Sequence, residues 1–130
     1  MAVYMTDTHS LLWLFMYPQK LGEQARLAFD EVGKGESELL VPVIVLAELI
    51  FTIENKPIQA SFDDILNGLH TNSNIEFVEF DFQLALRLRE LKQIPEMHDR
   101  IIVASALKYH ASLITLDQSI TKSKLIEVVW

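Results

Sequence analysis

The stretch ELLVPVIVLAELIFTIE, residues 38–54, decides the fold. Its first half reads as a buried strand running into a helix start. Its second half reads as a helix over roughly residues 43–54, stopped by Asn55 and Pro57. A strand without a polar face is one covered on both sides, the habit of strands in parallel sheets. Working outward, the same alternation recurs. Upstream, AVYMT (2–6) is a short strand, SLLWLFMY is helical and ends before Pro18, and LGEQARLAFDEV (21–32) spaces Leu21, Ala25, Ala28, Phe29 and Val32 along one helical face before the turn GKGES. Downstream, SFDDILNGLHT (61–71) is a helix capped by Ser61 with acids in its first turn. IEFVEF alternates as a strand, and FQLALRLRELK (82–92) is an amphipathic helix. HDRIIVASALKYH is a helix with one very apolar face, SLITL a strand, DQSITK a short turn or helix, and LIEVVW a last strand.

Strands alternating with helices predict an α/β fold: a three-layer α/β/α sandwich around a parallel sheet of about five strands, with right-handed crossovers. Residues 1–130 read as one domain, with no internal repeat, low-complexity run or linker.

Composition narrows the class. Half of the residues are hydrophobic, which excludes a disordered chain and leaves apolar surface for a partner. There is no cysteine, so disulfides, a thiolate nucleophile and a zinc–thiolate site are excluded. No run of 18 apolar residues occurs, and MAVYMTDTHS lacks the basic region of a secretory signal. The expectation is a soluble, cytoplasmic protein without a membrane partner. Net charge is −7, which by itself argues against a nucleic-acid ligand. The charge is uneven, however. Residues 1–80 carry 4 Lys/Arg against 12 Asp/Glu, and residues 81–130 carry 7 against 6. Arg87, Arg89 and Lys122 in the second part are candidate phosphate contacts.

Four carboxylates carry the chemistry. In an open parallel sheet, ligands bind outside the carboxyl ends of the strands. Asp7 directly follows the first strand and Asp117 follows SLITL. Asp99 starts the helix that feeds SLITL. That helix runs antiparallel to the strand, so its N-terminus lies at the same edge. Glu48 is the only charge in the thirteen residues 41–53, with no Lys or Arg within one helical turn. An ionised carboxylate in such surroundings costs several kcal/mol unless it is paired or binds metal. Each acid also has a plainer reading. Asp7, Asp99 and Asp117 could cap a helix or turn, and Glu48 could sit at an interface. Those readings do not require the four to meet at one edge, whereas a metal site does. Converging carboxylates repel, a divalent cation relieves the repulsion, and oxygen-only donors suit Mg²⁺ or Mn²⁺. Such an ion activates water and neutralises charge on a phosphodiester under attack.

Thr8 and Thr115 flank the acids and are candidates to orient them by hydrogen bonds. His9 and His98 adjoin acids and are candidate substrate contacts, although a solvated or capping role is the plainer reading. Glu96 reads as a loop acid or a further carboxylate. Trp13, Phe15, Met16 and Tyr17 form an apolar cluster that is either core or a dimer surface. There is no P-loop, no GxGxxG and no hydrolase triad.

YMTDTHSLLWLF resembles the opening of PIN domains, VPVIVLAEL their second motif, MHDRIIVASAL their third and LITLDQSI their fourth. The four occur in order over essentially the whole chain, which is similar to the VapC-type toxins of toxin–antitoxin pairs. The resemblance implies a Mg²⁺- or Mn²⁺-dependent endoribonuclease with Asp7, Glu48, Asp99 and Asp117 as catalytic and metal-binding residues. It also implies a homodimer, an RNA substrate and a cognate antitoxin. Two rivals are a PIN fold kept for binding without catalysis and a receiver-type signalling domain. The receiver needs an acidic pair at residues 6–8, which is missing.

Overall fold

The computed structural model describes residues 1–130. Strand β1 (Val3–Thr6) leads into α1 (Thr8–Met16), a 3-10 turn at Pro18–Lys20 and α2 (Glu23–Gly33). Strand β2 (Glu38–Pro42) runs without a break into α3 (Val43–Asn55), followed by α4 (Phe62–His70). Then come β3 (Ile75–Val78), α5 (Phe82–Arg87), a 3-10 turn at Leu88–Glu90 and α6 (Met97–Lys108). The chain closes with β4 (Ser112–Ile114), α7 (Gln118–Ser123) and β5 (Val128–Val129).

The five strands form one parallel sheet in the order β3-β2-β1-β4-β5. Successive residues of a strand point to opposite faces. Leu39, Leu40 and Val41 are all buried, as are Leu113 and Ile114, so both faces of the sheet are covered and the molecule has three layers. The fold is the expected α/β/α sandwich. One continuous core of 27 buried hydrophobic residues runs from Met5 to Ile120. The strand order rejects the receiver reading, whose sheet runs 2-1-3-4-5. Asp81, the acid after β3, instead caps α5 through Leu84 N–H and pairs with Lys108 at 3.5 Å. No helix is long and apolar enough to cross a membrane.

The strand order reverses between β1 and β4. Crossovers leave these two neighbours in opposite directions, which opens a crevice at their carboxyl ends.

Two elements differ from expectation. The helix expected over residues 82–92 stops at Arg87 and tightens into the 3-10 turn. Leu91 and Ile94 are both buried, and Arg100 reaches back from α6 to donate to the carbonyls of Ile94 and Leu88. Of the two readings of DQSITK, a short turn or a helix, the helix holds over Gln118–Ser123, where Asp117 accepts the N–H of Ile120 and caps it. The last strand shrinks to two residues, matching the two positions that β4 offers for pairing.

Trp130, just beyond β5, is seated against the start of α2. Its carbonyl accepts Gln24 N–H at 3.1 Å, and its ring meets Trp13 edge-on at 5.8 Å. Gly22 makes this approach possible, since a Cβ there would lie 2.5 Å from the Trp130 carbonyl carbon. Gly22→Ala therefore has to push backbone aside. It should destabilise the protein by about 1–3 kcal/mol, as overpacking does, and lower the melting temperature by several degrees. An unchanged melting temperature would contradict this packing.

Candidate active site

Asp7 leaves β1 and caps α1. Its Oδ1 accepts the N–H of Ser10 at 2.9 Å, and its Oδ2 accepts the hydroxyl of Thr115 at 2.5 Å. Thr115 follows β4 and is fully buried. Its Oγ1 also accepts the N–H of Asp117 at 3.0 Å, so one hydroxyl ties together the acids that follow the two central strands. Asp117 Oδ1 in turn accepts Ile120 N–H and the hydroxyl of Ser119 at 2.6 Å. Glu48, in the second turn of α3, accepts the hydroxyl of Thr8 at 2.8 Å. Asp99 lies in the first turn of α6. The cap of that helix is Glu96, whose Oε2 accepts Asp99 N–H at 2.8 Å while Oε1 meets His98 Nδ1 at 2.6 Å.

Asp7, Thr8, Glu48, Glu96, Asp99 and Asp117 line one cavity of about 460 Å³, together with His9, Ser10, Trp13, Ile102 and Leu116. All four expected acids are in its wall, and Glu96 is a fifth. No Lys or Arg is among the lining residues. Glu48 meets a neutral hydroxyl, and the negative charge of the cavity has no Lys or Arg in its wall. Burial pushes the Asp99 carboxyl up to about 6 from its ordinary 3.8, helped by the charges of Asp117, Glu96, Asp7 and Glu48. Burial also pushes Glu96 up, but the hydrogen bonds from His98 and from backbone N–H groups outweigh it and leave Glu96 lowered. The His98 imidazole is raised, first by its hydrogen bond to Glu96 and then by the charges of Glu48, Glu96 and Asp99 against the effect of burial.

No three of these side chains close into a ready coordination shell. Asp7 and Asp117 each turn one oxygen to a helix N–H, and Thr8 holds one oxygen of Glu48. The donor set, hard carboxylate and hydroxyl oxygens around uncompensated negative charge, fits a Mg²⁺- or Mn²⁺-sized cation and offers nothing to a soft metal. For Asp7 and Asp117 the plain and functional readings coexist, since each caps a helix with one oxygen and still lines the cavity. Asp99 is not the cap of α6, so its carboxylate is left for the cavity.

The sequence reading missed Ser10 and Ser119, which hold Asp7 and Asp117 from three and two residues downstream. The short polar spacing was the available signal. The three basic candidates lie outside the cavity. Arg87 faces Glu90 at 4.0 Å, Arg89 Nε donates to the carbonyl of Leu86, and Lys122 is exposed in the last turn of α7. His9 lines the cavity and His98 does not. Of the apolar cluster, Trp13 packs on Trp130, and Phe15 lies over Gly68 of α4.

The PIN domain family model matches residues 4–124, and the chain belongs to the PIN-domain family. No curated protein shows a significant sequence match. Among solved structures the fold is similar to a chain of VapBC2 from Rickettsia felis, crystallised with a DNA fragment from its promoter. The TM-score is 0.72 with 17% identity, covering 97% of this chain and 96% of that one. A toxin–antitoxin complex from Klebsiella pneumoniae gives TM-score 0.65 and 18% identity over 97% and 95% of the two chains. FitAcB from Neisseria gonorrhoeae gives 0.62 and 16% over 96% and 95%. Identities this low establish a shared fold.

The raised Asp99 carboxyl has a consequence for stability. Its folded-state pKa lies above that of an unfolded chain, so ionisation disfavours the fold. Its contribution is full below about pH 4 and is lost as pH rises through about 6. The carboxyl is only partly buried, so after solvent screening the effect is on the order of 1 kcal/mol. In EDTA, Asp99→Asn should melt higher than wild type at pH 7.5, and the difference should vanish near pH 4. Equal melting temperatures across that range would count against crowded negative charge at this site.

Proposed function

We propose that this chain is a Mg²⁺- or Mn²⁺-dependent endoribonuclease, the toxin of a toxin–antitoxin pair. The observation that carries this reading is the convergence of Asp7, Glu48, Asp99 and Asp117 on one cavity whose wall contains no Lys or Arg. The four acids are the ligands that would hold the cation and so are the catalytic set. A bound divalent ion supplies Lewis acidity toward water and neutralises charge on the phosphodiester under attack. The chain supplies orientation. Thr115 and Ser10 fix Asp7, Thr8 fixes Glu48, Ser119 and Ile120 N–H fix Asp117, and Glu96 seats the first turn of α6 beneath Asp99. The tethers engage one carboxylate oxygen of Glu48, one of Asp117 and both of Asp7, and the backbone bond to Glu96 leaves the Asp99 carboxylate itself free, which lowers the reorganisation needed at reaction.

The substrate in this reading is single-stranded or loop RNA, cut to leave a 5′-phosphate and a 3′-hydroxyl. Arg87, Arg89 and Lys122 serve phosphates beyond the cavity. The toxin reading is supported by membership of the PIN family and by the likeness of fold to chains of toxin–antitoxin complexes. It brings with it a cytoplasmic setting, a homodimer and a cognate antitoxin. Phe51, Phe82 and Met97, 66%, 71% and 57% exposed, offer apolar helical surface to such protein partners.

Purified wild type should cleave total RNA in Mn²⁺, stop in EDTA and recover when Mn²⁺ is returned. Asp99→Asn and Glu48→Gln should each lower the rate by about 100-fold or more. The double variant should be little worse than either single one, because residues that act as a unit are far from additive. Equal cleavage by wild type and Asp99→Asn would show that the site is misassigned. Failure of the wild type to cut any RNA of a broad panel would favour a PIN fold retained for binding alone.

A further inference from the structure

We propose that His9 and Trp13 form a nucleobase subsite on the α1 side of the acidic cavity, where one unstacked base of single-stranded RNA lies against the indole ring. The inference rests on the ribonuclease reading and adds what selects the nucleotide beside the cut.

The cavity is larger than an ion requires. About 460 Å³ lies within the roughly 300–1,000 Å³ of small-molecule sites, whereas an ion with six waters takes about 180 Å³ at about 30 Å³ per water. The remaining space is bounded partly by aromatic rings. His9 and Trp13 are four residues apart on α1 and so share one face of the helix. That helix is capped by Asp7, which places the ring pair beside the carboxylates by covalent geometry. Their ring centroids are 6.3 Å apart with planes at 63°, an angled crease that presents π-surface to the cavity. Trp13 is half-buried and backed edge-on by Trp130 at 5.8 Å, so its ring is already ordered and costs little to fix on binding.

Charge leads to the same assignment. Five acids and no Lys or Arg line the cavity, so apart from the bound cation its wall offers a phosphate nothing, and the nucleotide beside the cut has to be held through its base. Only a base free of pairing and stacking neighbours can lie on a protein ring, which selects single strands. Lys20 is the cation in contact with this aromatic wall, its Nζ lying 5.7 Å from the Trp13 centroid and 4.7 Å from that of Tyr17. An exposed cation–π contact is worth about two- to fivefold in affinity, and a stacked base about five- to 150-fold. The base therefore displaces the ammonium from Trp13, and Lys20 turns to the adjoining phosphate.

The chain has two tryptophans, so Trp130→Phe leaves Trp13 as the sole indole. The titration uses Trp130→Phe combined with Asp99→Asn, in Mn²⁺, so that RNA is bound and not consumed. The probes are a six-nucleotide single-stranded RNA and a ribose–phosphate chain of equal length without bases. The RNA should quench Trp13 emission and the abasic chain should not. By anisotropy of a labelled oligonucleotide, Trp13→Leu should weaken binding about five- to 150-fold, and Trp13→Phe should stay within a few-fold. The affinity should fall with salt, and Lys20→Gln should lower the slope of that dependence by about one phosphate contact. Unchanged indole emission at RNA concentrations that saturate the anisotropy would overturn the subsite, as would an abasic chain that binds as tightly as the RNA. The quench decides alone if Trp13→Leu does not fold. Quenching by RNA that the wild type never cleaves would leave the subsite standing and refute the nuclease, while cleavage without quenching would do the reverse.

Discussion

The hydroxyl of Thr115 is the joint on which the site depends. It is fully buried at the end of β4, donates to Asp7 beyond β1 and accepts the N–H of Asp117. The neighbouring bonds run the same way. Asp7 N–H and the hydroxyl of Ser10 both donate to the carbonyl of Ile114. The ends of the two central strands are thereby fastened at the point where the strand order reverses, and two carboxylates are fixed in the crevice that reversal opens. A valine in place of Thr115 would keep the shape and lose both bonds, leaving a buried donor and a carboxylate oxygen without partners.

Holding acids together opposes folding, and the rest of the molecule offsets that cost. The core of 27 buried hydrophobic residues continues beneath the crevice through Leu11, Leu49, Ile102 and Ile120, each on a helix that also carries or follows one of the acids. Leu49 follows Glu48, and Ile102 lies one turn beyond Asp99. The same helices thus bury an apolar face against the sheet and present a carboxylate at the edge. This is the arrangement expected when stability is surrendered locally for function: the raised Asp99 carboxyl marks where the fold is under electrostatic load.

Much of this was legible in the sequence because topology is legible. Unbroken apolar strands such as LLV in β2 require a sheet covered on both faces. Once the sheet is parallel, the residue after β1, the residue near the end of β4 and the start of the helix feeding β4 must share an edge. Glu48 stood out as a lone charge in an apolar run. What escaped depends on atoms rather than periodicity. Nothing in the spacing says that Glu96 and not Asp99 caps α6, nor that Arg100, next to Asp99, turns away to the carbonyls of Ile94 and Leu88. The break of the helix at Arg87 is accompanied by that long-range bond, which local propensity does not register. The contest between capping and functional readings of Asp7 and Asp117 also had no single winner, because a carboxylate has two oxygens.

The central claim is that these four carboxylates make one cation site. Crystals of the wild type soaked in Mn²⁺, with data collected to locate manganese by its anomalous scattering, test it most directly. The account predicts manganese density in the crevice between Asp7, Glu48, Asp99 and Asp117, with the carboxylates drawn inward onto it, and its loss in crystals of Asp99→Asn. Manganese bound elsewhere on the chain with this crevice empty, or equally strong density there in the variant, would contradict it.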